Sequence, residues 1–235
     1  MTRTFNLEIP PFLHTDIQEN LKKENADILF ESRSSILVQL RNSNICLLSS
    51  FDQKESEELL DSLSEDPDRY IVVRGPYLKE AALHRGYSAG SGTECYQYVY
   101  ALKEPLPERG ILKYSSAGPD DFDRVRSVYH LLPDDELYHE MYEGEFIKGI
   151  DRDGNFTCFI GRHIEKSIGL LYVFEEYRHK GYAAELQAHM MNELLKKGAV
   201  PYRQVYTDNT ASVFLQEKLG LQRADAPVIW LTKNT

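Results

Sequence analysis

Apolar residues recur along this chain with two periods, and the switches between them outline the elements. Three short apolar runs, 28–31, 36–40 and 45–48, are separated by Ser/Arg and Asn/Ser turns, which predicts an antiparallel meander. Ahead of them Ile17 and Leu21 share one face of a helix running to about Lys23, with Thr15 or Asp16 suited to its N-cap. Leu59, Leu60 and Leu63 give a helical stripe over 53–63, and 70–73 reads as a strand. Pro76 opens a helix over 78–83 that Gly86 ends, and 95–101 is a further strand. Pro10 and Pro11 block regular structure in an irregular arm at 1–12.

A breaker-rich link, EPLPERG at 104–110, separates this run from a second one. There 111–114 is a strand. Pro119-Asp120-Asp121 starts a helix to about Leu131, with Phe122, Val125 and Val128 at helical spacing, and Pro133-Asp134-Asp135 starts another to about Tyr142. The runs 146–150 and 156–160 flank DRDG at 151–154, a hairpin signal. After a turn at 162–166 come a strand over 167–174 and a helix to about Lys197, with Leu186, Met190 and Leu194 on its buried stripe. A strand at 204–206, a helix at 210–219 and a strand at 228–232 complete the chain. The element order of 1–105 recurs in 111–235, although identity between the halves is not visible. A generic α+β domain is the other reading of the first half. Either way the class is α+β.

Composition narrows the function. The 235 residues suffice for one large domain or two modest ones. A formal net charge of −10 disfavours nucleic acid, whose phosphates need a basic face, and tolerates a cationic amine. Three scattered cysteines, Cys46, Cys95 and Cys158, argue against a disulfide framework and fit a reducing cytoplasm. No Cys/His cluster has metal-ligand spacing, so no metal is expected. No apolar run approaches the ~20 residues of a membrane span, and the N-terminus lacks a signal-peptide core.

The chemistry concentrates in 172–184, YVFEEYRHKGYAA, a strand end, a turn and a helix start. Such a helix start leaves several N–H groups without partners, and its dipole favours anions. Gly181 permits close approach of a phosphate, and Arg178 and Lys180 add positive charge. The spacing Arg178-x-x-Gly181-x-Ala183 after the apolar strand IGLLYV at 168–173 resembles the acyl-CoA loop of the GNAT (Gcn5-related N-acetyltransferase) superfamily. Downstream, NTASVFLQEKLG at 209–220 resembles that superfamily's Asn-x-x-Ser helix ending in Leu-Gly. The likeness spans roughly 156–221 and is greatest to the glycine N-acyltransferase and FR47-like branch.

That resemblance implies a GNAT-like mixed, mostly antiparallel sheet flanked by helices, in two tandem halves: a degenerate N-terminal half, 1–105, and an acyltransferase domain, 111–235. It implies acetyl-CoA or another short acyl-CoA as co-substrate and the amine of a small molecule or amino acid as acceptor. By the same likeness the pantetheine arm meets the backbone at Leu171, Tyr172 and Val173. The diphosphate meets Arg178, His179, Lys180, Gly181, Tyr182, Ala183 and Ala184, and Asn209 and Ser212 make further contacts. Asn209 also suits a helix N-cap, Ser212 a plain first-turn serine, and Tyr182 a core or shielding role. In the first half, Ser49-Ser-Phe-Asp-Gln-Lys-Glu55 has no glycine, and its carboxylates oppose a diphosphate.

Two departures concern proton transfer. Where glycine acyltransferases carry a glutamate base this chain has Ser167, so Glu165, two residues earlier, is the candidate, with a solvated turn carboxylate as its other reading. His163 shares that turn, whereas His130, His139 and His189 read as surface or packing residues on helices. Where many members have a tyrosine acid the chain has Gln216, which does not titrate but can donate an N–H to the departing sulfur. An acyl-CoA-dependent N-acyltransferase and a catalytically silent acyl-CoA-binding module both satisfy these residues.

Overall fold

The computed structural model describes residues 12–63, 66, 68–89, 93–142 and 145–233. The irregular arm expected at 1–12 therefore lies almost wholly outside the described residues. In chain order the elements are α1 (Thr15–Lys22), β1 (Ala26–Glu31), β2 (Ser35–Leu40), β3 (Ile45–Ser50), α2 (Gln53–Ser62), β4 (Tyr70–Arg74), α3 (Leu78–Leu83), β5 (Tyr87–Ser88) and β6 (Glu94–Val99). There follow β7 (Lys113–Ser115), α4 (Phe122–Arg126), α5 (Asp134–Tyr142), β8 (Ile147–Ile150), β9 (Phe156–Arg162) and β10 (Ile168–Val173). The last are α6 (Tyr182–Lys196), β11 (Tyr202–Tyr206), α7 (Thr210–Lys218), β12 (Gln222–Arg223) and β13 (Val228–Lys233).

The chain divides into two compact units. One takes the chain up to Val99 with Gln204–Phe214 and everything from Gln222; the other takes Tyr100–Arg203 and Leu215–Leu221. These are not the contiguous halves 1–105 and 111–235. The reason is β13, whose backbone pairs antiparallel with β4 and with β6, so the last strand of the chain completes the first unit's sheet.

That sheet runs β1-β2-β3-β4-β13-β6-β11, with β5 on β13 and β12 on β6. The meander β1-β2-β3 is antiparallel, as its turns imply, while β3 and β4 pair in parallel from Ile45↔Tyr70 to Ser49↔Arg74. Leu59, Leu60 and Leu63 of the α2 stripe are all buried, packed with Leu48, Ile71, Val73, Leu78 and Leu231. Each such side chain contributes roughly 1.5–3 kcal/mol of burial. The start of α2 is closed by its own residues. Asp52 accepts the Glu55 N–H (2.9 Å), and Ser32 and Ser34 donate to Glu55 Oε2 (2.8 and 2.7 Å).

Beneath the sheet lies a buried polar network. Arg74 grips Asp16 with both terminal nitrogens (2.5 and 2.7 Å) and donates to the Leu13 carbonyl (3.0 Å). His14 Nε2 meets Ser49 Oγ at 2.7 Å. Neither Thr15 nor Asp16 caps α1: the N-cap is His14, and the Asp16 carboxylate is drawn inward to Arg74. A buried guanidinium demands that partner more strongly than a helix start does.

In the second unit four strands lie in the order β10-β9-β8-β7, every neighbouring pair antiparallel. The DRDG turn joins β8 to β9 as its sequence implies. One helix was expected to run from 119 to about Leu131. Instead a short 3-10 turn, Pro119–Asp121, leads into α4, which stops at Arg126. The Ser127 hydroxyl donates to the Arg124 carbonyl (2.8 Å), and Arg126 Nη1 donates to the Leu132 carbonyl (2.9 Å). The Ser127 hydroxyl competes with the backbone at that end, and Pro133 disfavours the helical region for Leu132. Phe146, Phe156, Phe159, Phe174 and Leu170 form an aromatic-rich core with Val125 and Leu137. Leu186, Met190 and Leu194 of α6 are buried as the stripe implies. No helix among the described residues is long and apolar enough to cross a membrane.

Candidate functional site

Among the described residues strand β10 ends its sheet, so one of its edges faces no strand there. Its ladder with β9 steps from Gly169↔Gly161 to Tyr172↔Phe159. Leu170 and Leu171 thus oppose the single residue Ile160, a β-bulge, and Leu170 takes φ +50°. The cost of that conformation is offset by burial of the Leu170 side chain in the aromatic core. Leu171, Tyr172 and Val173, all half-buried, follow the bulge. Just before it, a Cβ on Gly169 would fall 2.0 Å from His163 Nε2, so the imidazole lies directly on the strand backbone.

The chain leaves β10 through a 3-10 turn, Glu175–Tyr177, and enters α6 at a left-handed Gly181 (φ +86°) that provides no side-chain cap. His179 is left-handed as well (φ +63°). The first N–H of the helix to find an intrahelical partner is that of Glu185, bonded to the Gly181 carbonyl (3.1 Å). The amides of Tyr182, Ala183 and Ala184 precede it, at the positive end of the helix dipole. Arg178 folds back on β10, donating to the Val173 carbonyl (3.3 Å) and to the Tyr172 hydroxyl (3.2 Å). Lys180 stands 5.1 Å from the Tyr177 ring centre.

The link read from sequence at 104–110 is strapped, together with Ile111, along α6. Glu185 accepts the backbone N–H of Arg109 (2.8 Å) and of Ile111 (3.2 Å). Asn192 accepts the Leu106 N–H (2.8 Å) and donates to its carbonyl (3.0 Å) and to Glu108 (2.7 Å). Between them His189 meets Glu108 at 3.1 Å and stacks on Tyr114, ring centres 3.5 Å apart. Positions 185, 189 and 192 share one face of a helix, so one face holds the whole strap. His189 is therefore the packing residue the sequence implies.

At the start of α6 the strap, the loop and the β8–β9 hairpin line a cleft of about 340 Å³. Arg109, Arg152, Lys180, Tyr182, Asp151 and Asp153 line it together with Ile111. Of its two carboxylates, that of Asp151 accepts the N–H groups of Asp153 (3.0 Å) and Asn155 (2.9 Å). Those bonds, the Asn155 amide foremost and Lys180 more weakly, hold its pKa below the usual carboxylate range. The cleft keeps three cations against two anions, one of them already bonded. Arg109, Arg152 and Glu185 were not singled out from sequence. Their only signal is Arg-Gly before a strand and an acid in the helix's first turn.

The two residues considered for proton transfer are both buried. Glu165 is 4% exposed and accepts the Ser167 hydroxyl (2.5 Å), so it is not a solvated turn carboxylate. Ser167 and Glu165 thus touch. Its backbone carbonyl receives the Tyr202 hydroxyl. Glu140 of α5 is close by: burial, and then the Glu165 charge, push its pKa up to about 8. Gln216 is fully buried, and its Oε1 accepts Gln187 Nε2 (2.5 Å) while Arg203 donates to Gln187 Oε1 (2.9 Å). Burial lowers the pKa of Arg203 to about 10. Gln216→Ala is accordingly expected to destabilise the protein by about 1–3 kcal/mol, since it leaves Gln187 short of a buried partner. A urea titration measures this, and an unfolding midpoint equal to that of the unmodified chain would contradict it. Asn209 Oδ1 accepts the Ser212 N–H (3.0 Å), capping α7. Among the described residues no group of His, Cys, Asp or Glu is arranged to hold a metal ion.

Known proteins share this architecture. A Drosophila protein aligns at 14% identity with TM-score 0.69, covering 96% of this chain and 91% of its own. A GNAT-family protein from Novosphingobium aromaticivorans aligns at 17% identity and TM-score 0.57, covering 99% and 100%. A GCN5-related N-acetyltransferase from Kribbella flavida aligns at 12% identity and TM-score 0.60, covering 96% and 97%. The fold is that of the GNAT superfamily. Residues 157–231, which contain β10, the loop, α6 and α7, match the family described as FR47-like protein. No curated protein matches the chain by sequence.

Proposed function

We propose that this chain is an acyl-CoA-dependent N-acyltransferase, with acetyl-CoA as donor and the amine of a small molecule as acceptor. The observation that carries the reading is the start of α6. A left-handed glycine without a cap presents consecutive helix N–H groups beside a basic cleft, a local arrangement suited to a diphosphate. It fits a CoA: with no Cβ at position 181 a cationic side chain comes close over the loop, since a Cβ there would lie 2.6 Å from Arg109 Nη1. The free edge of β10 at Leu171–Val173 offers backbone donors and acceptors to the amides of a pantetheine arm. Acyl-CoA supplies an activated thioester.

The chain's own residues would bind, orient and move protons. Glu165, joined to Ser167, is the proposed acceptor of the proton from an arriving ammonium, with the bulge at Leu170–Leu171 as the backbone turn beside the reacting carbonyl. A thiol with pKa near ~8.5 leaves without much help from an acid, which suits a Gln216 held by Gln187. That same burial favours a second reading, an acyl-CoA-binding module without turnover. We further read the chain as two tandem GNAT-like halves, of which the first keeps no cofactor site. There β3 and β4 are hydrogen-bonded side by side, and Asp52 and Glu55 close the helix start.

Calorimetry with acetyl-CoA is expected to give one site per chain. Incubation of the enzyme with acetyl-CoA and a panel of amines should release free CoA thiol. Two equivalent sites would overturn the silent first half. Tight binding without thiol release from any primary amine would favour the module, and no binding at all would overturn both readings.

A further inference from the structure

The proposed donor site rests on a loop that the superfamily shares, but the strap 104–111 brings to it a cation from far along the chain. A Cβ built on Gly181 would lie 2.6 Å from Arg109 Nη1, so the guanidinium stands directly over the glycine of the loop. The Arg109 backbone is held there by Glu185, 76 positions away in the chain and buried at 3% exposure. Glu185 also holds Ile111, so the carboxylate grips the strap on both sides of Gly110. The guanidinium itself is solvent-exposed and lines the cleft with Arg152 and Lys180. Facing them are Asp153 and Asp151, the latter bonded to backbone amides.

We propose that Arg109 is a diphosphate-binding residue supplied by the strap, and that Glu185 is the positioning residue that sets it over the helix start. The inference rests on the acyl-CoA reading above and deepens it. Two features favour a diphosphate over a single carboxylate as the ligand. A guanidinium presents a planar fork of donors that matches phosphate oxygens, and the helix amides offer a second set of donors at the same point. A lysine in that place would keep the charge and lose the fork.

The test is calorimetry of the intact chain with two probes, CoA and pantetheine, the second lacking both diphosphate and nucleotide. Arg109→Ala is expected to weaken CoA by about tenfold to a hundredfold, as for loss of a charged hydrogen-bonding partner, and to leave pantetheine unchanged. The dependence of CoA affinity on salt should become shallower in the same variant. Arg109→Lys should fall between. Glu185→Gln, with Arg109 still present, should also weaken CoA and spare pantetheine, and circular dichroism reports whether α6 survives the change. If the unmodified chain binds CoA and Arg109→Ala binds it equally well, this inference fails while the acyl-CoA reading stands. Equal losses on both probes would assign Arg109 a structural role instead. No CoA binding by the unmodified chain would remove both.

Discussion

Gly181→Glu should yield a folded protein that no longer binds acyl-CoA. Position 181 has φ +86°, where an L-residue costs roughly 1–2 kcal/mol, within the margin of a domain stabilised by ~5–15 kcal/mol. The new Cβ would meet only the far end of the Arg109 side chain, which is flexible and can turn aside. The carboxylate would then sit between Arg109 and Lys180, in the place proposed for the diphosphate. A built-in anion there pairs with the cations and repels the ligand's charge. Affinity for acetyl-CoA is expected to drop by at least about a hundredfold, two decades or some ~2.8 kcal/mol. Gly181→Ala, which carries the strain without the charge, should lose much less. Calorimetry measures both, with thermal melting as the control for folding. Unchanged acetyl-CoA affinity in the glutamate variant would mean that the donor's phosphates bind elsewhere.

A comparable effect on stability is expected from Asp16→Ala. Asp16 and Arg74 have no exposed surface in their side chains. Without the carboxylate the guanidinium would keep the Leu13 carbonyl as its hydrogen-bond partner, while remaining charged in a buried setting. Breaking such a pair costs about 3–5 kcal/mol, a large part of a domain's total. Replacing both partners with apolar residues of similar volume, Asp16→Leu with Arg74→Met, should cost less, because no unpaired charge remains. The neighbouring His14 gives the same region an acid limit. Burial first, then the Arg74 charge, push its pKa down to about 3, with Asp16 opposing. Between its ordinary value near 6.5 and that value the unfolded chain takes up a proton that the folded chain refuses. Stability should therefore fall as the pH drops through this window, by about 1.4 kcal/mol per pH unit. His14→Gln should flatten that slope. Urea titrations at pH 7 and pH 4.5 test both points, and an Asp16→Ala cost below about 1 kcal/mol would refute the first.

The elements could be read because their signals are local. Gln53-to-Leu63 and Leu186-Met190-Leu194 carry their burial in their spacing, and both stripes are inside as that spacing requires. Gly181 is legible because it stands between the apolar strand 168–173 and the helical stripe of α6, and its φ of +86° at the helix start is one that glycine adopts without steric cost. Helix ends were less legible. α4 stops at Arg126 although its periodic pattern runs on to Val128, and there the Ser127 hydroxyl bonds the Arg124 carbonyl in competition with the backbone.

By itself, then, the sequence determined most of the strands and helices, the strand–turn–helix around Gly181 and the lack of a glycine at 49–55 in the first half. Tertiary structure alone decided the partners. A short apolar strand such as β13, VIWLTK, suits more than one sheet, and only folding assigned it to β4 and β6. The link at 104–110 reads only as a breaker-rich stretch until Glu185, His189 and Asn192 hold it to α6. Gln216 looks like a site residue until its amide is found against Gln187. Backbone groups and polar side chains accept many partners equally well, so their choice is made by which surfaces burial brings together, and that is written in no single stretch of the chain.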